Sequence, residues 1–161
     1  MYDNTCKFIA ETFTTDIVTW LLGQPIALTR LEPSELSVES IRADSLVLLQ
    51  SQSILFHGEF QTRPKPDIPF RMADYRLRGH RRYPSKPMHQ VVVYLCPSRS
   101  PLIQQTCFEL ERTRHEFDVI CLWKQPTATF LRAPGLFHLQ PSAARIIPMA
   151  YCGRLPAGLR R

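Results

Sequence analysis

The sequence predicts a mixed α/β domain with a single sheet, and three observations carry that prediction. Apolar residues recur at helical spacing near the start of the chain, alternate in two adjacent stretches after it, and run unbroken through "VVVYLC". Elements in that order bury their apolar faces only if helices pack on a sheet. At 161 residues and 44% apolar content, one domain with its own core is expected.

Taken in order, Cys6, Ile9, Ala10 and Phe13 mark an amphipathic helix beginning near Asp3 or Asn4. "TTDIVTWLLGQP" reads as a second, short helix that ends at Gly23 and Pro25. "ADSLVLLQ" and "SILFHGEFQ" read as two strands joined by a tight turn. "PFRMADYRLRGHRRYP" is a helix bracketed by Pro69 and Pro84 and weakened by Gly79. Its stripe Phe70, Ala73 and Leu77 is expected to pack on the sheet, leaving Arg71, Tyr75, Arg78 and Arg82 on another face. "QVVVYLC" suits a central strand covered on both sides. "CFELE" and "EFDVICLW" are expected to pair around the polar turn "RTRH".

The net charge of +6 is unevenly placed: residues 132–161 hold five arginines and no acid, leaving 15 basic and 14 acidic groups in residues 1–131. A basic chain points toward nucleic acid. No apolar run approaches a membrane span, and "MYDNTCKFIAETF" has no leader pattern. Five cysteines without a CxxC spacing favour reduced thiols in a cytoplasmic protein over a disulfide framework or a zinc site.

One stretch resists a reading based on folding alone. Centring the hairpin turn between Ser51 and Gln52 places Leu49 opposite Ile54 and Asp44 opposite Glu59. Two carboxylates about 5 Å apart on one sheet face repel each other. A divalent cation between them reverses the sign, and Mg²⁺ takes one or two carboxylates, water and phosphate. Gln61, on the same face, is placed to orient a water or a phosphate oxygen. Taken singly, Asp44 is also an ordinary turn residue and Glu59 an ordinary solvated strand residue. His57 is a ligand, a base or a satisfied sheet residue.

An Asp on one strand, E-x-Q on the next and a helix carrying "RMADYRLR" resemble the PD-(D/E)xK nuclease superfamily. More narrowly, "IRADSLVLLQ", "GEFQTRPKPDIPFRMADYRLR" and "ERTRHEF" are similar to the Rpn-like group of recombination-promoting nucleases and transposase-like proteins. The resemblance spans residues 1–136. It implies a restriction-endonuclease-like α-β-β-β-α-β core and Mg²⁺-dependent hydrolysis of DNA, with Mn²⁺ able to substitute. It further implies Asp44 and Glu59 as metal ligands and Gln61 where lysine usually stands, and it makes Glu11 the candidate first-helix acid. An amide cannot supply an ammonium's charge to a transition state. On its own spacing Glu11 reads first as an exposed i,i+4 partner of Lys7. Arg71, Tyr75, Arg78 and Arg82 form the candidate DNA face, which otherwise reads as a solvated basic face. The implied partner is DNA, with a homodimer compatible and a membrane not expected. The alternative is a non-catalytic DNA- or protein-binding remnant of such a nuclease.

Residues 137–161 differ in kind. They lack acids, lack a clear period and depart from the Rpn-like pattern just after "LRAPGL". Codons permitted for Gln140 to Leu155 can be read one base out of frame into a family-like continuation. The tail is therefore expected to be a basic, disordered, frameshifted end, against the alternative of a DNA-binding basic tail.

Overall fold

The computed structural model describes residues 2–31, 46–131 and 136. Asp44 and the tail 137–161 lie outside these residues. Helices α1 (Tyr2–Thr12) and α2 (Thr14–Leu22) lead into a two-residue edge strand, β1 (Thr29–Arg30). Then come β2 (Leu46–Gln50), β3 (Leu55–Gln61), α3 (Ile68–Arg82) and β4 (Met88–Tyr94). The described chain continues through β5 (Cys107–Leu110), β6 (Thr113–Glu116), β7 (Asp118–Cys121) and α4 (Thr127–Leu131).

The main sheet runs β1-β2-β3-β4-β7, with the first two pairings antiparallel and the last two parallel. This is the single mixed sheet expected. A parallel β3–β4 pair needs a crossover, and α3 supplies it. Gly23 ends α2 with φ 73°, a left-handed cap that glycine adopts without steric cost.

Strand parity sorts the core. Val47, Leu49, Phe56, Phe60, Val91 and Val93 pack with Ile9, Ala10, Ile17 and Val18 of α1 and α2. On the other face Val92 and Tyr94 meet Ile68 and Met72 of α3, while Leu46, Leu48 and Leu55 meet Tyr75. The sheet is thus a middle layer between α1–α2 and α3.

Three expectations are corrected here. The packing stripe of α3 is Ile68, Met72, Tyr75 and Gly79, whereas Phe70 and Leu77 are 58% and 67% exposed. Tyr75, at 1% exposed, belongs to the core and not to a basic outer face. Gly79 explains part of the shift: a Cβ there would stand 2.8 Å from Met88 Sδ, so its absence lets the helix approach β4. Phe70 instead meets Phe108 of β5 edge to face, with centroids 5.7 Å apart.

The second correction concerns "CFELE". It pairs with Thr113–Glu116 in a separate two-stranded sheet, and Asp118–Cys121 joins the main sheet beside β4. Strand β6 is largely exposed, so no apolar alternation marked it as a strand. The third concerns the thiols: Cys96 is disulfide-bonded, while Cys107 and Cys121 are free. An odd count without CxxC does not exclude one bond between distant cysteines. No described helix is long and apolar enough to cross a membrane.

The β5–β6 loop places Glu111 at φ 52°, a region costly for most L residues and tolerated by Asn. Glu111→Asn is therefore expected to stabilise the domain by up to about 1 kcal/mol. An unchanged or lower urea midpoint would show that the turn carries no such strain.

Candidate functional site

The alternation of β3 puts His57, Glu59 and Gln61 on the α3 face, and all three are buried, at 0%, 0% and 2% exposed. Flanking strands enclose them: Glu59 stands between Leu46 of β2 and Val92 of β4. This replaces the expected Asp44–Glu59 opposition. The hairpin closes through four residues, with the Ser51 N–H donating to the Ile54 carbonyl at 3.0 Å. Ser51 Oγ accepts from the N–H groups of Ser53 and Ile54 at 3.2 Å each, which centres the loop one residue later than expected. Partners therefore slip by two, and an even slip leaves each described side chain on its expected face.

Glu59 is held from three sides. Arg71, reaching in from the first turns of α3, brings Nη2 to 2.9 Å from Oε1. Gln61 Nε2 donates to Oε2 at 2.9 Å. His57 Nε2 lies 3.8 Å from Oε1. The imidazole is itself fixed from behind. Gln90 Nε2 donates to the Met72 carbonyl and meets His57 Nδ1, both at 2.8 Å. Since that amide nitrogen can only donate, Nδ1 accepts, and in the neutral ring the proton sits on Nε2, facing Glu59. Tyr75 packs beside the imidazole, its ring centroid 4.7 Å from that of His57.

Burial alone raises the Glu59 pKa, while His57, Arg71 and Gln61 act oppositely and together hold it below the ordinary 4.5. At 3.8 Å the His57 contact is long for a hydrogen bond, so the two 2.9 Å contacts are the close ones. The Tyr75 hydroxyl is pushed up by its burial and then by the Glu59 charge.

The other candidate residues are dispersed. Glu11 pairs with Arg30 of edge strand β1 at 3.3 Å, two strands from Glu59. Arg78 pairs with Asp74 within α3 at 2.9 Å, and the Arg82 guanidinium sits 5.5 Å from the Tyr83 ring centroid. Arg71 faces the carboxylate. Glu59 and Gln61 thus stand together, with Arg71 as the unforeseen third member.

Could this pocket hold a metal? Glu59 and Gln61 offer oxygen donors of the hard kind Mg²⁺ takes, and one carboxylate with waters is within its habits. Among the described residues no group of three or more His, Cys, Asp or Glu forms a metal cluster. Oε1 of Glu59, buried and without an aligned hydrogen bond, is the atom a cation would find.

Sequence reasoning did not reach Gln90 or the Arg71–Glu59 contact. The signal for Gln90 was its place at the head of an otherwise apolar central strand. A separate cavity of about 730 Å³ opens beside it, at the start of β4 and β7, lined by Arg76, His89, Gln90, His115 and Asp118 among others. Gln90 Oε1 and His115 Nε2 are buried there without hydrogen-bond partners among the described residues. Burial, then the Arg76 and His57 charges, lower the His115 pKa.

Comparison with protein-family models, curated proteins and solved structures finds no match to this chain.

The depressed Glu59 pKa sets an acid dependence. The ionised carboxylate contributes stability fully above its unfolded value near 4.5, and this is lost as pH falls through the lower folded value. Glu59→Gln is expected to flatten the acid limb of a stability–pH curve below pH 4.5. Parallel acid limbs in the two proteins would mean that Glu59 is not held ionised.

Proposed function

We propose that this chain is a metal-dependent nuclease-like domain that hydrolyses DNA phosphodiesters with little sequence preference. The observation that carries the reading is the buried Glu59 carboxylate with Gln61 two residues on, at the strand that leads into the parallel β3–α3–β4 crossover. Two helices precede the sheet, and the order from α2 to β4, helix, three strands, helix, strand, supports the restriction-endonuclease-like core that the E-x-Q motif implies. In this reading Glu59 and Asp44 hold Mg²⁺, or Mn²⁺ in its place. A divalent ion held there would supply a lowered pKa for bound water and charge neutralisation at the phosphodiester. Gln61 orients water or a phosphate oxygen, and arginines of α3 hold the DNA backbone. A cytoplasmic setting goes with a DNA substrate.

A second reading has its own support. Both oxygens of Glu59 already have protein partners, Arg71 and Gln61, as expected of a non-catalytic remnant that binds DNA or protein.

Purified protein is expected to nick plasmid DNA with Mg²⁺ or Mn²⁺, Asp44→Ala to abolish nicking with the fold intact, and Glu59→Gln to abolish it in protein that circular dichroism shows to be folded. Cleavage that survives both changes would sink the assignment. DNA binding without cleavage would leave the remnant. Nicking is also expected to survive deletion of residues 138–161.

For the basic helix, Arg82→Ala is expected to weaken DNA binding alike on all sequences and flatten the salt slope by about one unit. An unaltered slope would remove Arg82 from the phosphate contacts.

A further inference from the structure

Arg71 and a divalent cation would compete for one atom. Arg71 Nη2 is 2.9 Å from Glu59 Oε1, and Gln61 covers Oε2 at 2.9 Å. The carboxylate is 0% exposed, so solvent screens little. A divalent cation binds a carboxylate oxygen at about 2.0–2.6 Å. On Oε1 it would meet the guanidinium at contact distance, like charge against like.

We propose that Arg71 is a displaceable internal counter-cation: it occupies the cation position beside Glu59 Oε1 and closes the site, and a divalent cation enters only as Arg71 leaves. The inference rests on the metal-dependent reading above and adds how that site is regulated. Arg71 is the partner able to move. Its side chain is 22% exposed and so has a way to solvent, whereas Glu59 has none. His57, the other group near Oε1, is locked by Gln90 and packed against the tilted Tyr75 ring. Gln61 is the next residue but one on the same strand, and its neutral amide can rotate to offer its oxygen to a cation. Displacement also turns a half-buried guanidinium outward beside the site, where a planar fork suits a phosphate. Cation entry and the gain of a phosphate-binding arginine become one event.

The test is Mn²⁺ binding, followed by calorimetry and by the loss of free-Mn²⁺ electron paramagnetic resonance signal, with circular dichroism to confirm folding. The proteins are wild type, Arg71→Gln, Arg71→Ala and the double variant Arg71→Gln/Glu59→Gln. Glutamine keeps a donor facing Glu59 and is the variant expected to fold if alanine does not. Arg71→Gln is expected to bind Mn²⁺ about tenfold or more tightly than wild type, and the double variant not to bind. In wild type, adding diamagnetic Mg²⁺ is expected to shift the Arg71 side-chain NMR resonance and speed its exchange with water. Equal or weaker Mn²⁺ binding by Arg71→Gln, or an Arg71 resonance indifferent to Mg²⁺, overturns the proposal. Absence of Mn²⁺ binding from every variant overturns it together with the metal-dependent reading. Tightened Mn²⁺ binding with no DNA cleavage upholds it and removes only the nuclease.

Discussion

The Glu59–Arg71 contact is the constraint on which the rest of the architecture depends. A carboxylate placed in the middle of a central strand must be matched by a charge from whatever covers that strand. The covering element is α3, and Arg71 stands where its first turns cross Glu59 at 2.9 Å. A buried pair of this kind rarely outperforms apolar residues of the same volume, yet breaking it costs about 3–5 kcal/mol. That is a large share of the roughly 5–15 kcal/mol that holds a domain folded. The pair therefore restricts the docking of α3 strongly while adding little to stability over an apolar alternative. A residue set that folding alone would not select is a reason to look for function there.

The two faces of the sheet are built to different rules. Toward α1 and α2 the residues are interchangeable in kind: Val47, Leu49, Phe56, Phe60 and Val93 need only volume. Toward α3 the polar side chains are held by specific contacts, although Gln90 Oε1 and the Tyr75 hydroxyl are buried without a hydrogen-bond partner among the described residues. Gln90 spends its amide on the Met72 carbonyl and His57, which ties the helix backbone to β4 and aims the imidazole at Glu59. Gly79 then permits the far end of the helix to close on Met88 and Leu55. Arg71, Met72 and Gly79 lie along one helix, so the polar and steric constraints set its position at both ends.

Much of this was legible in the residues. Period-2 alternation located β3 and its face, the apolar run located β4, and the Pro69 and Gly23 punctuation located helix ends. What failed did so for physical reasons. Hairpin register depended on Ser51 capping two backbone N–H groups with its own hydroxyl, which a symmetric-turn argument ignores. The buried face of α3 was displaced because Tyr75 was grouped with arginines at helical spacing, while its ring in fact fills the space against His57 and Leu55. Strand β6 was missed because a largely exposed, polar strand has no hydrophobic period to read. Pairing of Arg71 with Glu59 required knowing how α3 crosses β3, which is tertiary information.

Charge pairing narrows where the proposed DNA partner could be met. Arg71 is committed to Glu59, Arg78 to Asp74, Arg30 to Glu11, and Arg114 to Glu109 and Glu116. Arginines with acid partners offer weak fields, and residues 1–131 are nearly neutral in sum. The basic end of α3 is different in kind: His80, Arg81 and Arg82 share its last turn, next to Tyr83 and Lys86. Cations there also complement the negative end of the helix dipole, so part of their presence is accounted for by α3 itself. A backbone-binding role for that turn must therefore exceed this local one, which makes the salt dependence of binding more informative than its strength.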